Sequence, residues 1–221
     1  MKLIKINSIP VNISKTSILR HIGNRKNKIV SKRILNNINK AKREIFKLAK
    51  ARAIYRVLPI KNQNGFISLE GALPFKSKIL ALSLSSCDKA AVFLLTLGYE
   101  VDRMILKQMN KRPNYGLILD AAASAATEST AKYLRNLINY ELNIREVTTG
   151  HYSPGYCDWP VSEQDKIFKL LPSEIIDVDL SKIALMSPRK SLSGVIGISA
   201  KNQMKNACTK CIKTQCFHRT N

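Results

Sequence analysis

Apolar residues recur along the chain at spacings that predict several amphipathic helices. Between positions 26 and 53 they lie three and four residues apart, which is typical of one long helix or of two successive helices. A shorter helix at 18–22 is predicted to end at Gly23, because glycine readily terminates helices. A third, at 163–171, is followed by Pro172, which cannot continue a helix.

Other stretches have the length and composition of strands. The segments 53–60 and 66–69 are separated by turn-forming residues, and 90–97 is a continuous apolar run as long as a buried strand. Further strands are predicted near 175–180 and 194–199. Because these strands alternate with helices, the sequence predicts a mixed fold.

The middle of the chain contains two further predicted helices. The first runs from about 100 to 109, after which Pro113 and Gly116 are expected to break the chain. The second begins at Asp120 and reaches Asn139, and its first half consists almost entirely of small residues. Small side chains allow a helix to lie close to a sheet, to another helix or to a cofactor.

No internal repeat and no linker rich in proline or glycine divides this pattern. The 221 residues, 45% of them hydrophobic, can supply one sizeable core. We therefore predict a single α+β domain over residues 1–206, with a basic helical region at 12–53, followed by a cysteine-rich tail at 207–221.

Charge is the most unusual property of the composition. The chain carries 37 basic and 15 acidic residues, a net charge of +22, and its first 57 residues contain sixteen basic residues against Glu44 alone. Such a surface attracts nucleic acid, an anionic membrane or an acidic protein, although a genome favouring Lys, Ile and Asn codons gives the same composition. No apolar run approaches the roughly 20 residues of a membrane span, and the start lacks a signal-peptide pattern. We expect a cytoplasmic protein.

A short loop, "HYSPGYCDWP" at 151–160, stands out because it concentrates aromatic residues between prolines. Pro154 and Gly155 constrain the backbone where Tyr156 and Trp159 project. A rigid aromatic loop suits recognition of a flat ligand, and it equally suits packing on the core.

Two carboxylates precede this loop in a chain that is poor in acids. Glu128 lies on the flank of the small-residue helix, and Glu146 lies five residues before His151. Carboxylates beside an aromatic loop predict a site for a cationic small molecule; the alternative is that both are ordinary surface residues.

Five cysteines, an odd number without an export signal, indicate reduced thiols or metal ligands. Three of them form a C-x-x-C-x4-C cluster in the tail: Cys208, Cys211 and Cys216. This spacing is compatible with zinc or an iron–sulfur cluster, with Cys87, Cys157 or His218 as a fourth ligand. The cluster is equally compatible with thiols that hold no metal.

Four segments taken in order are similar to a known family. They are "SILRHIGNRKN", "SSCDKAAVFLLTLGYEVDRMI", "DAAASAATESTAKYLRN" and "GHYSPGYCDWPVSEQ". Together they resemble the reactivation (activation) domain of cobalamin-dependent methionine synthase, in the compact form of that domain that occurs free-standing. Domains of this family bind S-adenosylmethionine (AdoMet). "SPRKSLSG" and the terminal cysteines agree with the same group.

The resemblance implies one α+β domain with a twisted antiparallel sheet flanked by helices and with AdoMet in a shallow groove. It also implies an accessory role, in which the domain supplies AdoMet while the cobalamin of a partner is reduced by one electron and remethylated. The expected partners are a cobalamin-binding methionine synthase or another corrinoid protein, and an acidic electron donor such as flavodoxin.

The same resemblance identifies candidate residues for AdoMet. The family loop reads Arg-x-x-x-Gly-Tyr, and here His151 stands at the position of the arginine. A histidine offers one donor where a guanidinium offers two parallel bonds, and Arg145 is a second candidate for that role. The complete set is Glu128, Glu146, His151, Tyr152, Ser153, Pro154, Gly155 and Tyr156.

Two alternative functions follow from other features. The basic helix permits a nucleic-acid-binding module, although only Phe46 interleaves the basic residues at 26–50 and we consider nucleic acid an unlikely partner. The tail cysteines permit a redox protein whose iron–sulfur cluster passes electrons to a corrinoid protein. The first predicts salt-sensitive binding of RNA or DNA, and the second predicts visible absorbance that depends on the cysteines.

Overall fold

The computed structural model describes residues 2–24, 29–63, 65–70 and 72–200. Its helices are α1 (Lys15–His21), α2 (Lys32–Leu48), α3 (Lys78–Ser83), α4 (Tyr99–Lys111), α5 (Pro113–Glu141) and α6 (Gln164–Leu170). Its strands are β1 (Ile4–Ile6), β2 (Arg52–Gln63), β3 (Phe66–Leu69), β4 (Lys89–Thr96), β5 (Glu146–Tyr152), β6 (Asp179–Leu180), β7 (Met186–Ser187) and β8 (Ser191–Ala200).

Six of these strands form one antiparallel sheet. Its main order is β1-β2-β4-β8-β5, and β3 pairs with the far end of β2. The two short strands β6 and β7 form a separate ribbon. The predicted α+β class with an antiparallel sheet is therefore confirmed.

The central strand β4 shows why its sequence is continuously apolar. Alternate residues of a strand point to opposite faces, and here both faces are covered. Ala91 and Phe93 belong to a core cluster that contains residues of α1, α2, α4 and α5. Val92 and Leu94 belong to a second cluster, which contains residues of α3 and α6. The sheet is thus the middle layer of the domain.

The long helix α5 begins earlier than the sequence predicted. It starts at Pro113, where we expected a break, because proline has no amide hydrogen and is tolerated in the first turn of a helix. Gly116 also lies within the helix: a β-carbon there would lie 2.8 Å from the backbone nitrogen of Met109 in α4. Glycine at this position therefore allows α4 and α5 to approach closely.

Two other predictions need correction. The region near 175–180 is mostly not a strand, because Ser173–Ile176 forms a 3₁₀ turn and Asp177 takes a left-handed conformation with φ of +53°. Conversely, strand β5 (Glu146–Tyr152) was not predicted from the sequence. The long basic pattern resolves into one helix, α2, which begins after Ser31, whose hydroxyl accepts a hydrogen bond from the Ile34 amide (3.4 Å).

None of the helices in the described ranges combines the length and the hydrophobicity that a membrane crossing requires. The tail cysteines lie outside the described residues, and the predicted domain boundary at 206 stays a prediction.

Candidate functional site

A cleft of about 310 Å³ opens beside the sheet, between the end of α1, the middle of α5, the loop after β5 and the start of β8. Four separate parts of the sequence contribute to it. Its lining residues are His21, Ser124, Thr127, Glu128, Tyr156, Arg189, Lys190, Ser191 and Leu192.

Helix α5 forms one wall, and its small residues explain its position. Buried alanines face the core along this stretch, so the helix packs tightly against the sheet layer. The hydroxyls of Ser124 and Thr127 donate to the carbonyls of Asp120 (3.1 Å) and Ala123 (3.0 Å), one turn earlier. Glu128 supplies the carboxylate of this wall, and its side chain is 31% exposed.

Glu128 faces a histidine from the first helix of the domain. The Nε2 atom of His21 lies 3.3 Å from Oε2 of Glu128, and the histidine side chain is only 13% exposed. Helix α1 is fixed at its other end by Ser14, whose hydroxyl accepts from the amide of Ser17 (3.0 Å). The sequence did not point to His21, because a single histidine near a helix end carries no recognisable motif.

The opposite wall is the segment that leads into β8, and a carboxylate of α4 holds its backbone. The amides of Arg189 and Lys190 both donate to Asp102, the second over 3.3 Å. The Ser191 hydroxyl is hydrogen-bonded to that of Thr96 (2.9 Å). These bonds hold the backbone of the segment in place, although Arg189 itself is exposed.

The two basic residues of this wall differ in their surroundings. The Lys190 ammonium lies 2.9 Å from Oδ1 of Asp120 and donates to the Ser124 hydroxyl over 2.9 Å, and its side chain is 14% exposed. Arg189 is exposed, and its guanidinium makes no hydrogen bond or ion pair with residues in the described part of the chain. Positive charge therefore remains available at Arg189.

The aromatic loop provides the third side, and its backbone is internally hydrogen-bonded. The Gly155 amide donates to the carbonyl of Trp159 (2.7 Å), and the Trp159 amide donates to the carbonyl of Tyr156 (2.9 Å). Gly155 has φ of +92°, a conformation that favours glycine. Trp159 itself is 3% exposed and packs edge-on against Phe75, with ring centroids 5.2 Å apart. Of the two alternatives left open by the sequence, packing on the core therefore applies to Trp159, which anchors the loop.

Asp158 ties the same loop to α3. Its carboxylate accepts from the Ser77 hydroxyl (2.5 Å) and from the amides of Lys78 (2.8 Å) and Ile79 (3.3 Å). A carboxylate at a helix N-terminus satisfies amides that lack a partner within the helix. Tyr156 is consequently carried by a loop that is fixed both by a buried tryptophan and by a helix cap.

The first two residues of the predicted loop, His151 and Tyr152, belong to the sheet as the end of β5. His151 pairs with Ile196 in β8, and its ring packs edge-on against Phe93, with centroids 6.2 Å apart. Ser153 and Pro154 are buried. Tyr152 is the last residue of β5, and its carbonyl lies 2.3 Å from where a β-carbon at Gly194 would be. Within the described residues, none of these four residues lines the cleft.

Glu146 lies at the other end of β5. Its carboxylate is 3.1 Å from the Lys89 ammonium and accepts from the Asn143 side chain (2.8 Å). The side chain of Asn139 in α5 bonds the amide of Thr148, close to Glu146. Glu128 lies eleven residues earlier in the same helix, which is about 16 Å along its axis. The structure therefore brings Glu128 and Tyr156 to one cleft and places Glu146 elsewhere.

The described residues contain no cluster of three or more His, Cys, Asp or Glu that could hold a metal ion. This finding does not concern Cys208, Cys211 and Cys216, which lie outside the described residues.

No family model and no curated protein matches this chain. Among solved structures, the chain is similar to the MetH reactivation domain bound to AdoHcy (S-adenosylhomocysteine). The TM-score is 0.65 and the sequence identity is 14%, and the match covers 94% of this chain and 81% of that one. The fold that the sequence resemblance implied is therefore confirmed.

Proposed function

We propose that the chain binds AdoMet in this cleft and supports the reductive remethylation of cobalamin held by a methionine synthase or another corrinoid protein. The main support is the meeting of Glu128 and Tyr156 in one cleft. Both were selected from sequence motifs 28 residues apart, and they line the same cavity in a fold similar to a domain bound to AdoHcy.

The chemistry of the cleft suits such a ligand. AdoMet carries an ammonium, a sulfonium, a carboxylate and a planar adenine. The cleft offers the carboxylate of Glu128, the ring of Tyr156 and two basic side chains on the opposite wall. Acidic, aromatic and basic groups in one concave site can orient a zwitterion that also carries a ring system.

In this proposal the reactive chemistry belongs to the cofactors, since the sulfonium supplies the methyl group that the reduced cobalt accepts. The chain contributes position and electrostatics. Glu128 holds the cationic part of AdoMet, and the fixed loop at 153–159 holds Tyr156 against it. The protein is accordingly an accessory component that acts on the cofactor of a partner.

The basic surface supports a partner of opposite charge. Along α2, four exposed side chains are basic, Lys32, Arg33, Arg43 and Lys47, and the first turn contains no acid. Acidic proteins, such as a corrinoid-binding module or a flavodoxin serving as electron donor, would be steered to this face, and added salt would weaken the encounter.

The tail belongs to the proposal as a separate hypothesis. If Cys208, Cys211 and Cys216 hold an iron–sulfur cluster, anaerobically prepared protein absorbs near about 400 nm and loses this band in Cys211→Ser. A zinc site instead gives bound metal without the band, and protein free of both zinc and iron would refute metal binding by the tail.

Isothermal titration of AdoMet and AdoHcy into the purified chain tests the proposal directly. We expect saturable, one-to-one binding of both ligands, because they share the adenosyl and amino-acid parts. No binding of either would refute the AdoMet site and leave the fold unaffected.

A further inference from the structure

The proposed function leaves the carboxylate of AdoMet without an evident partner. The sequence resemblance places His151 where the family has an arginine, but the His151 ring packs against Phe93, and the residue does not line the cleft as described. Arg145, the second candidate from sequence, directly precedes Glu146 at the far end of β5. Neither residue is where an anion in the cleft would lie.

The cleft has its own basic wall, and the two residues of that wall are not equivalent. The charge of Lys190 is already balanced by Asp120 at 2.9 Å, and its ammonium also donates to Ser124. A second anion would have to compete with Asp120 for the Lys190 ammonium. The guanidinium of Arg189 has no such competitor among the described residues.

Arg189 is also held at a defined place. Its amide donates to Asp102 in α4, so its main chain is tied to a helix of the core layer. On either side, Pro188 is buried, and the Ser191 hydroxyl donates to the Pro188 carbonyl over 2.7 Å. Because this backbone is already fixed, Arg189 loses only side-chain conformational entropy when it binds a ligand in the cleft.

We propose that Arg189 is the anion anchor of the cleft and holds the carboxylate of the ligand, opposite the cationic part held by Glu128. This inference rests on the proposed function and names the residue that fixes the direction of the amino-acid end of AdoMet. A guanidinium suits the role because it binds a carboxylate through two parallel hydrogen bonds and is always charged.

The test compares ligands that differ only in the carboxylate. AdoHcy and its decarboxylated analogue are titrated into the unchanged protein, Arg189→Gln, Arg33→Gln and His151→Gln. Arg33 is an exposed arginine of α2, so its replacement removes the same charge away from the cleft. We expect Arg189→Gln to weaken AdoHcy binding by about ten-fold or more, the effect of losing one charged hydrogen bond.

The decarboxylated analogue should bind the unchanged protein and Arg189→Gln within about two-fold of each other, and Arg33→Gln should bind both ligands like the unchanged protein. Equal losses for both ligands in Arg189→Gln would overturn the inference, as would a larger loss of AdoHcy binding in His151→Gln. Failure of the unchanged protein to bind either ligand would overturn the proposed function together with this inference. Binding by the unchanged protein that Arg189→Gln leaves intact would overturn the inference alone.

Discussion

Replacement of Glu128 by glutamine tests the cleft at the residue that sequence and structure both select. Glutamine keeps the size of the side chain and removes its charge. The amide keeps a polar oxygen near His21, whose Nε2 atom lies 3.3 Å from the carboxylate. The change therefore removes an electrostatic contact and leaves the local packing nearly intact.

The expected effect of Glu128→Gln on AdoMet affinity is larger than its expected effect on the free energy of unfolding. For the ligand, loss of a charged hydrogen bond costs roughly 1.5–3 kcal/mol, which corresponds to about ten-fold to a hundred-fold weaker AdoMet binding. For the fold, the His21 and Glu128 side chains are 13% and 31% exposed, so their pair contributes about 1 kcal/mol or less. Binding should consequently fall much more than the free energy of unfolding.

Glu146→Gln is the matched comparison, because it removes the same charge from a residue paired with Lys89 at the other end of β5. The assays are calorimetric titration with AdoMet and urea unfolding of all three proteins. The sequence predicted that both acids contact AdoMet, whereas the geometry predicts a loss confined to Glu128→Gln. A loss of similar size in both variants would refute the assignment of the cleft and restore Glu146 to the site.

Three further predictions concern the frame around the cleft. Gly116→Ala places a methyl group 2.8 Å from backbone of α4, so urea should unfold it at lower concentration than Gly150→Ala, which meets nothing within 4 Å; equal midpoints would contradict this. Asp158→Ala should lower the free energy of unfolding by about 1–2 kcal/mol, because the first amides of α3 lose their carboxylate partner, and Asp158→Asn should lower it by less. Urea unfolding in which Asp158→Asn is destabilised as much as Asp158→Ala, or more, would show that the carboxylate does not act as a helix cap. Burial raises the pKa of Cys87 from 9.0 to about 11, so its neutral thiol stabilises the fold below pH 9 and this contribution is lost as the pH rises through 11; a Cys87→Ala variant with the same pH-dependence of unfolding would show that the thiol does not titrate in this way.

Local sequence patterns predicted those helices and strands whose structure does not depend on contacts with other parts of the chain. Segment 66–69 is β3, the apolar run at 90–97 matches β4 within one residue, and the amphipathic pattern at 26–53 contains α2. The prediction failed at Pro113 and Gly116, which look like helix breakers in isolation. Their acceptance depends on the first-turn position of the proline and on the close approach of α4, and neither is visible in a single segment.

The site was predictable to the extent that its residues lie in recognisable segments. Glu128 and Tyr156 belong to two such segments, and both reach the cleft. For Trp159, the sequence left open whether the ring binds a ligand or packs on the core. Its burial against Phe75 depends on tertiary contacts that no single segment reveals. His21 was missed because its importance depends on its contact with Glu128, which lies more than 100 residues away in sequence.

The distribution of acids around the cleft connects the extreme charge of the chain to its proposed ligand. The protein has 15 acidic residues against 37 basic ones, and three of the acids lie at this one place. Asp102 binds the backbone of the basic wall, Asp120 balances Lys190, and Glu128 faces His21. A cationic ligand would be repelled by the field of a +22 protein unless carboxylates lowered the potential locally. The cleft is thus a locally balanced region on a basic surface, and such a region can admit a sulfonium while the rest of the surface attracts an acidic partner.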